Sequence, residues 1–261
     1  MLHVQMSPKF KTVHADDNLP PELHGFDKTP QRTDKWWKRR RHKASGSKLS
    51  NFFFINNARD LSEYRDVVFG DRPRPPLDAE AQKRVKWGVD HEDDACATAM
   101  HHIPSLRIWD VGFEIHRVHK WFGSSPDGIV HWPDQFPASP WGVVEIKCST
   151  KKNKKGVSIP HPGVPSYYIP QLHAEMACVP LPKRCDWCLF ISWSASTTRI
   201  YVVEFNEQYW NGLWDLITDF KAGDIPFEHW QRKCARVKQN NEEVARNAKL
   251  VSVVQSCCLQ K

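Results

Sequence analysis

Three charged side chains stand in a short and otherwise apolar part of the sequence. Asp127 lies in the turn-like segment Ser-Pro-Asp-Gly, and Glu145 and Lys147 lie two residues apart in the apolar run GVVEIKC. Successive side chains of a strand point to opposite faces, so Glu145 and Lys147 are expected on the same face. Asp127, at the end of the preceding strand of a predicted hairpin, can approach that face.

These residue types suit metal-assisted hydrolysis of a phosphodiester. Two carboxylates supply the hard oxygen ligands that Mg²⁺ prefers. The ion orients or acidifies a water and neutralises charge on the scissile phosphate. A neighbouring lysine positions that water and stabilises the developing negative charge. An ion between the two acids would also offset the cost of burying their charge. The alternative is an ordinary turn and an ordinary strand end, since each half of the pattern is common alone.

Composition narrows the class of partner. The chain has 261 residues with 37 Lys and Arg against 30 Asp and Glu, which gives a net charge of +7. This balance favours polyanions, nucleic acid first. The sequence contains no apolar stretch of membrane-spanning length and no apolar leader, which predicts an intracellular protein without a membrane partner. We expect it in the nucleus if its source is eukaryotic or a nuclear virus, and otherwise in the cytoplasm.

Strand and helix patterns alternate along the chain and predict the α/β (α+β) class. A helix is expected from residue 79, capped by Asp78, and another begins near Pro170. The segments WGVVEIKCS, CDWCLFISWS and RIYVVEFN are typical of strands. The segment EQYWNGLWDLITDFKAG predicts an amphipathic helix that ends at Gly223. The tail NNEEVARNAKLVSVV is expected to form a last helix.

Several segments, taken in order, carry a resemblance to a known family. They are WKRRRHKASGSKL, WGVDHEDDA, SPDG, EIKC and YYIPQLHAEM. Together they resemble the lambda-exonuclease group, the YqaJ-like viral recombinases related to viral alkaline nucleases, within the PD-(D/E)XK nuclease superfamily. The resemblance implies a restriction-endonuclease-like core with a central mixed β-sheet flanked by helices. A nuclease domain is then expected at 34–225. Outside the resemblance, the polar and proline-bearing residues 1–33 predict a flexible N-terminal arm, and residues 226–261 are expected to form a C-terminal helical tail.

The resemblance also implies roles for individual residues. Arg40 and Ser47 would bind a terminal 5′-phosphate, and the basic run interleaved with tryptophans suits further DNA contacts by Trp36 and Lys38. Arg117 stands where some members carry another acidic residue, which leaves Glu114 or His116 as candidate ligands for a second metal. The remaining implied roles are metal binding by Asp127, Glu145, Glu92 and the carbonyl of Ile146, and catalysis by Asp127, Glu145, Lys147 and Gln171.

The function implied by the resemblance is that of a Mg²⁺-dependent 5′→3′ double-strand DNA exonuclease in recombination or DNA-end processing, with Mn²⁺ as a substitute ion. Double-stranded DNA ends would be its substrate, a single-strand annealing protein its partner, and a homotrimer its assembly. Two alternatives stay open. One is an endonuclease or single-strand nuclease of the same superfamily, and the other is a catalytically silent DNA-end-binding protein.

Overall fold

The computed structural model describes residues 20–73 and 75–258, and a mixed six-stranded sheet forms the centre of this part. The strand order is β2-β5-β6-β7-β8-β9, in which β6 and β7 are parallel and the other neighbours antiparallel. A smaller sheet has the order β1-β4-β3. The strands are β1 Ala44–Ser45, β2 Arg107–Trp109, β3 Glu114–Ile115, β4 Phe122–Ser124, β5 Gly128–His131, β6 Trp141–Cys148, β7 Trp187–Trp193, β8 Thr197–Glu204 and β9 Lys249–Gln255.

Six α-helices surround these sheets in the described part of the chain. They are α1 Asp34–Arg40, α2 Ala58–Phe69, α3 Ala79–His102, α4 Ile169–Cys178, α5 Glu207–Ala222 and α6 Phe227–Arg246. The expected helix starts and ends at α3 and α5 are confirmed. Asp78 accepts a hydrogen bond from Ala81 N at 2.7 Å, and Gly223 ends α5 in the left-handed conformation at φ 78°. The mixed sheet with flanking helices confirms the predicted fold class.

The central sheet separates two hydrophobic cores, because side chains alternate across it. Val143 of β6 joins the larger core, which α4, α5 and α6 cover. Val144 and Ile146 join the other core with Ala95 and Ala99 of α3. The charged residues of β6 therefore point to the α4 face. Burial on both faces of the sheet fixes the register of β6, because a shift of one residue would move these charges into the opposite core.

A 3-10 segment at Gly46–Phe54 follows β1 and packs against α4. Gly46 makes this close approach possible, because a Cβ atom there would lie 2.5 Å from Ser124 Oγ and 2.8 Å from Ala174 Cβ. No larger residue fits without a shift of backbone. The segment that carries Ser45 and Ser47 is thereby held against the helix that follows the sheet.

Three expectations differ from the structure. Helix α6 ends at Arg246, and Lys249–Gln255 forms the edge strand β9 rather than the end of a helix. Leu23 and Phe26, within the expected flexible arm, are buried in the larger core, while residues 1–19 lie outside the described part. Asp127 directly precedes β5, and β5 itself is the hairpin partner of β6. The division into three domains stays a prediction.

Among the described residues, no helix has both the length and the hydrophobicity that crossing a membrane requires.

Candidate active site

The site begins where β6 continues past the start of its neighbour β5. The register of the two strands ends at the pair Gly128–Val144, so beyond Val144 no strand of the described residues pairs with β6 on that side. Asp127 fills the place, since its backbone N donates to Val144 O at 3.0 Å and its Oδ2 accepts from Ile146 N at 2.7 Å. The N–H and C=O of one strand residue point to the same neighbour. The Ile146 carbonyl therefore points to the side where the Asp127 carboxylate lies.

Glu145 has two carboxylate oxygens in different environments. Its side chain is 1% exposed. Oε1 accepts hydrogen bonds from Lys147 Nζ and, at 2.6 Å, from Gln171 Nε2. Oε2 is buried and accepts no hydrogen bond from any residue in the described part of the chain. A buried acceptor without a donor is costly and uncommon. This oxygen is consequently available to a ligand.

A second buried carboxyl lies next to Glu145, on α4. Gln171 Nε2 also donates to Glu175 Oε1 at 2.8 Å, so one amide bridges two acids. Glu175 is completely buried, and its Oε2 has no donor among the described residues. Glu175 was not among the site residues predicted from the sequence. Its spacing of four residues from Gln171 places both on one helix face, and this signal was present in the sequence.

Charge in the site is unbalanced toward the acids. Burial, and next the charge of Glu145, raises the pKa of Asp127 to about 7. Burial and then Glu145 raise the pKa of Glu175 as well. Burial lowers the pKa of Lys147, but attraction by Glu145 and Asp127 outweighs burial and the net shift is upward. Lys147 therefore keeps its proton, and its Nζ lies 5.0 Å from the centre of the Tyr168 ring.

Glu92 approaches the acids from α3 and is paired with Arg32. The guanidinium of Arg32 donates from its two terminal nitrogens to the two carboxylate oxygens of Glu92, at 2.7 Å and 3.2 Å. Burial, and next the charge of Asp127, raises the pKa of Glu92 to about 6. Glu92 thus lies within electrostatic reach of Asp127. Arg32 was likewise not among the residues predicted from the sequence.

The residues fit one hard divalent cation. The Asp127 carboxylate, the unpaired Oε2 of Glu145 and the Ile146 carbonyl offer oxygen ligands of the kind that Mg²⁺ binds. The buried oxygen without a donor and the raised pKa of Asp127 are both relieved by a positive charge at this point. Glu92 has a different environment, because Arg32 already occupies both of its oxygens.

Arg40, Ser45 and Ser47 form a cationic pocket, which opens into the same cavity as Asp127 and Glu145. Arg40 is 6% exposed, and one of its terminal nitrogens donates to Ser45 Oγ at 2.7 Å and to Ser47 Oγ at 3.1 Å. Its guanidinium carbon lies 4.3 Å from the ring centre of Trp36. Trp36 Nε1 in turn donates to Ser125 Oγ at 3.1 Å. Stacking on an aromatic face holds the plane of the guanidinium, and arginine is the residue type that suits bidentate recognition of phosphate.

The cavity that joins the two regions has a volume of about 1630 Å³. Asp127, Glu145, Lys147 and the cationic pocket all line it, and so do Arg32 and Glu92. Typical small-molecule pockets have volumes of about 300 to 1,000 Å³. The larger size suits a segment of polymer rather than a single small molecule.

Residues 35–181 match the model of the YqaJ-like viral recombinase domain, which is more than half of the chain. The chain belongs to this family. No curated protein matches it. Among solved structures, the YqaJ-like chain is similar to the alkaline exonuclease LHK-Exo from Laribacter hongkongensis, at 21% identity and a TM-score of 0.49 over 82% of this chain and 97% of that one. The complex of LHK-Exo with dAMP is equally similar, with the same identity, TM-score and coverage.

The YqaJ-like site brings together most of the residues predicted from the sequence but not all. Lys38 is exposed and does not line the cavity, because it lies two positions from both Trp36 and Arg40 on α1. Trp36 is 5% exposed and supports Arg40, so it offers little surface to DNA.

The two candidates for a further metal ligand lie elsewhere. Glu114 accepts from Asp27 N at 2.8 Å, and His116 stacks on Trp214 with ring centres 5.0 Å apart. Neither residue lines the cavity. Arg117 donates to Leu181 O at 2.5 Å and is likewise absent from the lining. The expectation that Glu114 or His116 replaces a missing acid is therefore wrong.

Proposed function

We propose that this chain is a divalent-metal-dependent deoxyribonuclease that degrades double-stranded DNA from its ends in the 5′→3′ direction. The proposal rests on one observation: the cluster of Asp127, Glu145 and Lys147 shares a cavity with the cationic pocket. An acidic end takes a metal ion, and a cationic end takes a phosphate. Membership in a family of viral recombinases supports DNA as the polymer.

Asp127, Glu145 and the Ile146 carbonyl would hold the ion, with Mg²⁺ as the natural choice and Mn²⁺ as a substitute. When bound, the ion would polarise the scissile phosphate and offset its charge. The other contributions come from the chain itself. Lys147 stays protonated, so it acts as a hydrogen-bond donor that orients water and stabilises charge on the phosphate rather than as a base.

Gln171 positions the acids. Its amide donates to Glu145 Oε1 and Glu175 Oε1, which leaves Glu145 Oε2 directed to the ligand. The cationic pocket would hold the 5′-phosphate through the fork of Arg40 and the hydroxyl of Ser47. Binding of a terminal phosphate at a fixed place would favour ends over internal positions.

The decisive experiment measures cleavage of labelled linear duplex DNA with Mg²⁺ or EDTA, with 5′-phosphate or 5′-hydroxyl ends, and with circular duplex as a further substrate. We expect mononucleotide release from phosphorylated linear duplex in Mg²⁺ only. Asp127→Asn and Glu145→Gln keep the shape of each side chain and should abolish cleavage while DNA binding persists. Glu114→Gln is the matched control, since it changes a buried acid outside the cavity in the same way and should cut normally.

Other outcomes would change the proposal. Fragments from the circular substrate would indicate an endonuclease, and preference for a single strand would indicate a single-strand nuclease. DNA-end binding with no cleavage in any divalent ion would indicate a silent binder. Association with a single-strand annealing protein and assembly as a homotrimer remain proposals from the family resemblance, which sedimentation of the purified chain and co-purification with such a protein would test.

A further inference from the structure

Arg32 has an unusual backbone conformation for its residue type. Within the described ranges, Arg32 and His42 are the non-glycine residues with positive φ, at 67° and 56°. Side chains with a Cβ disfavour this region, and they occupy it where the surrounding structure holds them there. Such outliers concentrate at functional sites.

Two anchors hold the segment of Arg32 beside the acids. The neighbouring Gln31 donates from Nε2 to Pro126 O at 2.9 Å, which ties this segment to the residue before Asp127. Arg32 itself donates from two nitrogens to Glu92. Burial lowers the pKa of Arg32, but Glu92, Asp127 and Glu145 together raise it overall. All three acids therefore act on this guanidinium, which carries a permanent positive charge.

A nuclease with two metal ions needs acidic ligands for both ions. Here the guanidinium of Arg32, a fixed cation, lies against the acid Glu92 instead. Two-metal sites use a pair of ions to offset the charges of the attacking and leaving oxygens. Here the carboxylate of Glu92 is satisfied on both oxygens by Arg32, whereas the carboxylate of Glu145 has one oxygen open. Glu145 thus offers an oxygen with no competing donor, whereas an ion at Glu92 would have to share that carboxylate with the guanidinium of Arg32.

We propose, on the basis of the proposed function, that Arg32 replaces the second metal ion and that this chain binds a single divalent cation. Its ion pair with Glu92 competes with any ion for that carboxylate, and its charge acts on Asp127 and Glu145 where a second ion would otherwise act. Arg32 is accordingly a positioning residue for the acidic cluster. Glu92, which the family resemblance assigns to metal, would serve here to hold the arginine.

The test counts bound Mn²⁺ by the electron paramagnetic resonance signal of the free ion during a titration of the full chain. We expect one ion per chain in the wild type. Arg32→Gly removes the guanidinium and supplies the residue that best tolerates positive φ, so the fold is retained while Glu92 becomes available. This variant should bind two ions, and adding Glu92→Gln to it should return the count to one.

The controls and contrary results are equally specific. His42→Gly relieves the other positive φ outside the cavity and should still bind one ion. Two ions in the wild type, or one ion in a folded Arg32→Gly chain, would overturn this inference while leaving a metal-dependent nuclease intact. A wild type that binds no Mn²⁺ and cuts no DNA would overturn the proposed function as well. Near-ultraviolet circular dichroism confirms that each variant is folded before the count is made.

Discussion

The acidic and cationic ends of the cavity bury charge in opposite ways. At the acidic end Glu145 is 1% exposed, and one of its oxygens accepts no hydrogen bond from a described residue. At the cationic end Arg40 is almost as deeply buried but lies between the ring of Trp36 and the hydroxyls of Ser45 and Ser47. One end buries negative charge with an oxygen that has no donor among the described residues, and the other buries positive charge against an aromatic ring and two hydroxyls.

The contrast shows which end depends on its ligand. Burial raises the pKa of Asp127 to about 7, so the acids resist full ionisation until a cation is bound. An arginine stays charged regardless of burial. The guanidinium of Arg40 is already oriented by the Trp36 ring and the two serine hydroxyls. We infer that the cationic end is preorganised for phosphate, whereas the acidic end is completed by the metal ion.

The largest expected effect is at Lys147, where the contrast between chemistry and binding is sharpest. Lys147→Ala should slow single-turnover cleavage by about a hundred- to a thousand-fold, which is about 3 to 4 kcal/mol, because a preorganised donor to the transition state is lost. DNA affinity should change only a few-fold, since one phosphate contact among several is removed.

Lys151→Ala is the matched control, because Lys151 is an exposed lysine that also lines the cavity. It should weaken binding and reduce the salt dependence by about one ion, with the rate of the bound complex unchanged. The reverse pattern, with Lys147→Ala weakening binding and its bound complex cutting at the original rate, would remove Lys147 from the chemistry.

Glu114, a buried acid outside the cavity, tests whether burial alone raises the pKa of a carboxyl in this protein. Burial raises the pKa of Glu114 to about 7, while Asp27 N donates to its carboxylate and Arg39 lies nearby. A carboxyl with a raised folded pKa stabilises the fold below its unfolded pKa, and this contribution is lost as pH rises through the folded pKa. The advantage of Glu114→Gln over the wild type should therefore grow as pH rises from about 4.5 to 7 and reach about 3 kcal/mol. Urea unfolding across this range, in EDTA, measures the difference; parallel curves for both proteins would show that Glu114 ionises normally.

At the cationic end, Arg40→Lys keeps the charge and removes the fork. We expect digestion of 5′-phosphorylated duplex to slow by about ten- to a hundred-fold, because a charge-assisted contact contributes about 1.5 to 3 kcal/mol. Digestion of 5′-hydroxyl ends should change little. Lys38→Ala on the outer face of α1 serves as the control for lost positive charge. Equal slowing on both kinds of end would reduce Arg40 to a general backbone contact.

The amide of Gln171 connects the acids to each other, and its removal should affect stability. Gln171→Met has a similar length but donates nothing, so Glu145 loses one donor and Glu175 Oε1 loses the donor described here. Loss of donors to buried acceptors costs about 1 to 3 kcal/mol. The free energy of unfolding in urea measures this, and Gln31→Met, which loses a donor to carbonyl oxygens, is the comparison. A loss no greater than that of Gln31→Met would contradict the role of Gln171 as the link between the acids.

The smallest effect concerns the backbone of Arg32. Arg32→Ala and Arg32→Gly both lose the ion pair, and only glycine is at ease at positive φ. The glycine variant should be more stable than the alanine variant by about 0.5 to 1 kcal/mol. The same pair of substitutions at His42 should give a similar difference in thermal unfolding. An alanine variant as stable as glycine would show that φ changes once the guanidinium is gone.

Much of the site followed from local sequence patterns. Alternation along β6 correctly placed Glu145 and Lys147 on one face, and the family resemblance supplied Gln171. The face of α1 was harder to assign, because a helix of seven residues gives too few turns to show a period. The sequence therefore predicted DNA contacts by both Lys38 and Arg40, although of these two residues only Arg40 lines the cavity.

Two further features depend on contacts that no local pattern contains. Arg32 and Glu92 are 60 residues apart, and Arg32 adopts a left-handed conformation that sequence patterns assign to glycine. The strand β9 pairs with β8, which is distant in sequence. Its valines favour a strand, but the preceding helical pattern of α6 continued close to it and concealed the boundary.

The bridge made by Gln171 has a consequence for how this sequence can vary over time. One amide group donates to two carboxylates on different elements, so substitutions at positions 145, 171 and 175 are expected to depend on one another. A change at Gln171 removes a donor from both acids, and a change at either acid leaves the amide of Gln171 with one acceptor fewer. Among relatives of this chain, these three positions are expected to be replaced together or kept together, and their joint pattern would mark which relatives retain the same arrangement of acids.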